Sequence, residues 1–121
     1  MRWPGKIKSG SVTDQPISGL DFFPTFCSLA GVSNSRALDG MDISPVIFQG
    51  KKLSRDLFWQ LPNTDAFRRG PWKYVRAATE EMLFNLDNDP AEEKNLAKEK
   101  PELLRELKAA HRKVAEEIAR K

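Results

Sequence analysis

From Leu57 onward, short runs rich in apolar and β-favouring residues recur between turn residues: Leu57-Phe58-Trp59-Gln60-Leu61, Ala66-Phe67-Arg68-Arg69, Trp72-Lys73-Tyr74-Val75-Arg76 and Glu81-Met82-Leu83-Phe84-Asn85-Leu86. Their composition favours strands. Pro62-Asn63-Thr64-Asp65, Gly70-Pro71 and Ala77-Ala78-Thr79-Glu80 separate them, and at this spacing the sequence predicts a four-stranded antiparallel meander. The central pair bends at Gly70-Pro71, where glycine permits a positive φ and proline cannot give a ladder hydrogen bond. On the second arm Trp72, Tyr74 and Arg76 share one face, and Lys73 and Val75 take the other.

From Pro101 the period becomes helical. Leu103, Leu107, Ala110, Val114 and Ile118 form one apolar stripe, with Arg105, Lys108, Arg112, Lys113, Glu116 and Arg120 off it. Pro101 suits the first helical position, and Glu102 favours the positive end of the dipole. This predicts an amphipathic helix of roughly 20 residues, long enough to cross one face of a small sheet. Glu117 at the stripe's edge implies that the last turn projects into solvent.

The first half is less regular. Residues 1–17 read as extended, with Trp3-Pro4-Gly5 as a turn, and the chain opens like the end of a strand whose beginning is missing. Residues 18–31 read as a helix with a Ser18/Asp21 capping box and Gly31 as its stop. Leu20, Phe23, Cys27 and Ala30 form one stripe and Phe22, Phe26 and Leu29 a second, which predicts burial all round. Pro24 should kink or delay it. Leu38-Asp39-Gly40 is a turn, and Ser44 to Gly50 makes one or two helical turns behind a Ser44 cap. The fold class expected is α+β: a four-stranded antiparallel sheet packed by a long C-terminal helix, preceded by one buried helix and loops.

Composition narrows the chemistry. At 121 residues the length is that of one domain, and no apolar run approaches the ~18 residues of a membrane span. The net charge of +3 arises from Lys and Arg that alternate with Glu in the last third, so no single-sign stripe for nucleic acid is present. Neither nucleic acid nor a membrane is expected as a partner. Cys27 is the only cysteine, which excludes an intrachain disulfide and a multi-cysteine zinc site. On its apolar stripe it reads as a structural thiol. His111 is the only histidine, and between Ala110 and Arg112 it reads as a surface or boundary residue. Asp87-Asn88-Asp89 lacks the glycine and closing glutamate of a calcium loop and reads as turn chemistry. Arg68, Arg69, Lys73 and Arg76 cluster on the hairpin, as a solvated face or an anion contact.

Eight short stretches in fixed order carry a resemblance. They are Arg2-Trp3-Pro4-Gly5, Asp21-Phe22-Phe23-Pro24-Thr25, Leu38-Asp39-Gly40, Leu57-Phe58-Trp59, Arg69-Gly70-Pro71-Trp72-Lys73-Tyr74-Val75, Leu83-Phe84-Asn85-Leu86, Asp89-Pro90 and Glu93-Lys94-Asn95-Leu96. In this order the chain resembles the C-terminal end of an arylsulfatase-like sulfatase of the alkaline-phosphatase superfamily. Asn85 departs from the usual aspartate, and Pro71 from the acidic or small residue before Trp72-Lys73. The resemblance implies that residues 1–54 are the tail end of the sulfatase large domain and 55–121 its C-terminal subdomain. It implies a sulfuric ester hydrolase whose formylglycine nucleophile and calcium ligands lie on a preceding N-terminal catalytic domain, so that this stretch alone is inactive and holds no cofactor. Cys27-Ser28-Leu29-Ala30-Gly31 does not match the formylglycine motif. Full-length relatives of this kind are often periplasmic, secreted or lysosomal.

In such a subdomain the loop from Gln60 to Asp65 leans over the substrate cleft. Asn63, Asp65 and Arg68 are then the expected substrate contacts, with no catalytic or metal residue on this chain. From a different class, the chain reads as a stand-alone protein-interaction module. Under either reading, exposed apolar surface on the first helix favours self-association.

Overall fold

The computed structural model describes residues 1–33 and 37–120. It divides into two compact units, Met1–Leu53 and Ser54–Lys121.

In the first unit a single 3-10 turn, Gly19–Asp21, leads into α1 (Phe22–Leu29), and α2 follows at Ser44–Gln49. The capping box forms: the Ser18 hydroxyl accepts from the Leu20 N–H at 3.3 Å, and the Ser18 N–H donates to the Asp21 carboxylate at 2.7 Å. Because α1 starts only at Phe22, Pro24 falls in its first turn, where its nitrogen owes no intrahelical bond. Proline therefore delays the start of the helix to Phe22, one of the two effects expected of it.

The buried side of this segment is polar. Asp21 and Thr25 have no exposed surface. The Asp21 carboxylate also accepts from the Met41 N–H at 2.9 Å, and the Thr25 hydroxyl donates to the Asp21 carbonyl at 2.6 Å and accepts from the Ile43 N–H at 3.0 Å. These bonds hold residues 41–43 against the start of α1 and leave Phe22, Phe23 and Phe26 at 43%, 59% and 57% exposed. The apolar surface expected to be exposed on this helix is found, and burial of its rings within this chain is not: Thr25 and the N-cap Asp21 take the inner face, and the aromatic rings turn outward. Gly40 makes the approach feasible, since a Cβ there would stand 2.0 Å from the Leu20 carbonyl oxygen. α2 has Pro45 in its first turn and ends at Gly50 in the left-handed conformation, as its sequence requires; its cap is Ile43, with Ser44 already helical.

In the second unit β1 (Asp56–Leu61), β2 (Thr64–Arg69), β3 (Trp72–Ala77) and β4 (Glu80–Asn85) form a sheet in the order β1-β2-β3-β4. All three pairings are antiparallel across two-residue bends. Arg69 stands opposite Trp72, and Gly70 takes φ +55 between them, the conformation a tight hairpin asks of glycine. One face collects Phe67, Tyr74 and Leu83, and α3 (Pro101–Ala119) lays Leu107 on them. These four are fully buried. Phe58, Trp72, Leu103, Leu104, Ala110 and Val114 pack around them, while Ile118 in the last turn is exposed, as the stripe predicts.

The outer edge of β4 is closed by the connection to α3. The Leu96 N–H donates to the Leu83 carbonyl at 2.8 Å, and the Leu83 N–H donates to the Asn95 side chain at 3.1 Å. Asp89 fixes that connection by accepting from the Glu93 and Lys94 N–H groups at 3.1 and 2.9 Å, which is turn chemistry.

Candidate functional site: a charged cleft between sheet and helix

Alternation along each strand decides which side chains meet α3. Phe67 faces the helix, so Asp65, two residues earlier, faces it too. The register then sets Gln60, Asp65, Arg76 and Glu81 opposite one another in a single row across all four strands. α3 presents Lys108, His111, Arg112 and Ala115 at i, i+3, i+4 and i+7, positions that share a face. Together with Tyr74 these residues line a cleft of about 390 Å³.

Asp65 sits at its floor, 2% exposed, and is ion-paired with the Arg76 guanidinium. His111 Nε2 lies 3.5 Å from Asp65 Oδ2, outside hydrogen-bonding geometry, and is buried without a hydrogen-bond partner. The imidazole is wedged between Phe58 and Tyr74, with ring centroids 5.1 and 5.4 Å away. On the other side the Tyr74 hydroxyl donates to Glu81 Oε1 at 2.9 Å, and Lys108 Nζ donates to Glu81 Oε2 at 3.0 Å.

The environment sets the charges. Burial holds the His111 imidazole below its ordinary pKa of 6.5; the Asp65 carboxylate pulls the other way and Arg76 pushes it further down. The Lys108 hydrogen bond, opposed by burial and aided by Tyr74, holds Glu81 below 4.5. Burial, then the Glu81 hydrogen bond, pushes the Tyr74 phenol up. A sign follows for stability. Below pH 6.5 the unfolded chain takes up a proton at His111 before the folded one does, and below 4.5 it does so at Glu81. Both contributions are present at neutral pH and are lost as pH falls through the folded values. The thermal midpoint should therefore drop between pH 7.5 and 5, and His111→Gln should flatten that slope. A midpoint that rises on acidification would contradict the placement of His111.

The three residues singled out from the sequence do not gather at one point. Asp65 lies in the cleft. Asn63 is exposed at the β1–β2 bend, with its backbone carbonyl accepting from the Ala78 N–H at 2.9 Å. Arg68, one residue out of phase with Asp65, is on the opposite face, and its Nε donates to the Gly70 carbonyl at 2.9 Å. The rest of the basic cluster is ion-paired: Arg69 with Asp56 at 2.7 Å and Glu106 at 3.1 Å, and Lys73 with Glu92 at 2.6 Å. His111 is the residue that sequence reading misplaced. It is buried, not a surface histidine, because it lies four residues after Leu107 and three before Val114, on the apolar stripe itself. Among the described residues, no three His, Cys, Asp or Glu side chains are gathered as metal ligands. The sequence after Cys27 does not fit the formylglycine motif.

Comparison with known proteins agrees with this architecture. The family model for "N-sulphoglucosamine sulphohydrolase, C-terminal" matches residues 1–119. N-acetylgalactosamine-6-sulfatase of Sus scrofa is 42% identical over 64 residues, which are 51% of this chain and 12% of that protein. Arylsulfatase K of Danio rerio is 31% identical over 119 residues, covering 86% of this chain and 23% of that protein. The crystal structure of Ps i-CgsB superposes with a TM-score of 0.80 at 26% identity, covering 92% of this chain and 27% of that one. The chain thus spans less than a quarter of the length of these two curated relatives. It belongs to the N-sulphoglucosamine sulphohydrolase C-terminal family, and is a sulfatase C-terminal domain of α+β fold.

Proposed function

We propose that this chain serves as the C-terminal part of a sulfuric ester hydrolase and shapes its substrate cleft. On this reading the nucleophile, as formylglycine, and the calcium ligands belong to a preceding catalytic domain. The observation that carries it is the match of residues 1–119 to a family defined as the C-terminal portion of a sulphohydrolase. The exposed Leu20, Phe22, Phe23 and Phe26 support it, because an apolar set of this size asks for a covering body. The catalytic domain is that body here; a second copy or an unrelated protein partner would cover it if the chain acts as an interaction module.

Of the expected substrate contacts, Asn63 offers an exposed amide at the tip of the β1–β2 bend, and Arg68, at the other end of β2, a guanidinium on the face away from α3. Asp65 anchors the bend through Arg76 and completes the trio. The purified chain, given calcium and a chromogenic aryl sulfate, should release no product above a protein-free blank. Turnover above the blank would overturn the assignment of the chemistry to another domain.

A further inference from the structure

Arg76 stands between two carboxylates. The register sets it opposite Asp65 on β2 and opposite Glu81 on β4, in the row that crosses the sheet under α3. It is ion-paired with Asp65, yet its side chain is 51% exposed, so the guanidinium has room to turn. Asp65 is buried and has no such freedom. A second candidate partner for Asp65 comes from the helix. His111 Nε2 lies 3.5 Å from Oδ2, the same oxygen that Arg76 holds, and makes no hydrogen bond. Phe58 and Tyr74 flank the imidazole and fix it there. The Tyr74 hydroxyl donates to Glu81 and is not available to the ring.

We infer that Asp65 changes partner when acid charges His111: the imidazolium takes the carboxylate from the helix side, and Arg76 turns to Glu81, its other neighbour in the row. The step is the uptake of one proton on the imidazole. A neutral ring gains little at 3.5 Å, whereas an imidazolium gains a charge-assisted hydrogen bond by closing to about 2.7–2.9 Å. Two cations on one buried oxygen repel, so the half-exposed one leaves. Glu81 can receive it, because the Lys108 hydrogen bond keeps that carboxyl ionised in mild acid. Glu81 then serves Lys108 and Arg76 together. An ion pair between α3 and β2 therefore exists only in acid. It forms two residues beyond Asn63, at the strand end that carries the β1–β2 bend. The titratable and charged groups facing His111 are Asp65 from β2, Tyr74 and Arg76 from β3, Glu81 from β4, and Lys108 and Arg112 from α3.

His111 is the only histidine, so a single Cε1–H signal reports its protonation, and the Arg76 Nε–H signal reports the exchange. Both are followed by NMR on the whole chain between about pH 7.5 and 4.5. The expected result is that the two signals move with one midpoint, and that in His111→Gln the Arg76 signal no longer moves through that range. Arg76→Gln, at a half-exposed position, removes a like charge and frees Asp65, and should raise the His111 midpoint by about half a pH unit or more. Arg76→Lys should return it towards the original value, and Asp65→Asn should lower it. An Arg76 signal that stays still while His111 titrates, or that moves equally in His111→Gln, would overturn the inference. So would a His111 midpoint that Arg76→Gln leaves unchanged, or a chain that unfolds before His111 takes up its proton.

Discussion

Replacing Phe67 by alanine should cost about 3–5 kcal/mol, the range for deleting a fully buried aromatic ring. Phe67 lies at the centre of β2 and has no exposed surface. It packs with Tyr74, Leu83 and Leu107, so one ring joins three strands to α3. Its loss also removes the surface beneath the Arg69 guanidinium, which stands 5.5 Å from the ring centroid. Domains of this size have about 5–15 kcal/mol of stability in all, so the variant should be largely unfolded at 37 °C or close to it. Urea denaturation followed by far-UV circular dichroism reads this as a midpoint lowered by about 1–3 M. Phe67→Leu, which keeps most of the volume, should lose about 1 kcal/mol. A drop of less than that for Phe67→Ala would mean that the sheet and helix do not share this core.

Gly40→Ala should produce the next largest loss, about 2–4 kcal/mol, in the first unit. The added Cβ would sit 2.0 Å from the Leu20 carbonyl oxygen and 2.5 Å from its carbon. Both are backbone atoms, so no side chain can rotate away. Residues 40–41 must withdraw, and the Met41 N–H then leaves the Asp21 carboxylate that it meets at 2.9 Å. Asp21 is wholly buried, and a buried carboxylate short of a donor is costly. Hydrogen exchange at the Met41 and Ile43 amides should accelerate in the variant. Unchanged protection there would contradict the close approach.

What the sequence made legible depended on local chemistry. Gly70-Pro71 marked the central hairpin, alternation put Trp72, Tyr74 and Arg76 on one face without saying which face meets α3, and the stripe through Leu107 marked the helix. Thr64 and Asp65 read as turn residues by composition and are in fact paired strand residues opposite Ala77 and Arg76. A cross-strand partner made a polar strand end affordable, and no local signal reports a partner 11 residues away. His111 was hidden by its charged neighbours, although counting from Leu107 and Val114 places it on the buried stripe. In α1 the aromatics suggested both all-round burial and exposed apolar surface; within this chain the rings lie exposed, because Asp21 and Thr25 took the inner face through bonds to residues 41 and 43. Gly40 carried no visible reason in the sequence beyond a turn. Asn63 and Arg68 remain assigned by resemblance, because which surface a substrate would meet depends on groups outside this chain.

The central claim is that this domain binds and shapes but leaves the chemistry to another. The most direct measurement is steady-state kinetics of a sulfatase polypeptide carrying this chain as its C-terminal part, with Asn63→Ala and Arg68→Ala introduced singly. The prediction is a KM raised about fivefold or more with kcat within about twofold, the signature of lost substrate binding without lost transition-state chemistry. A KM that does not move, or a kcat that collapses with KM unchanged, would contradict it.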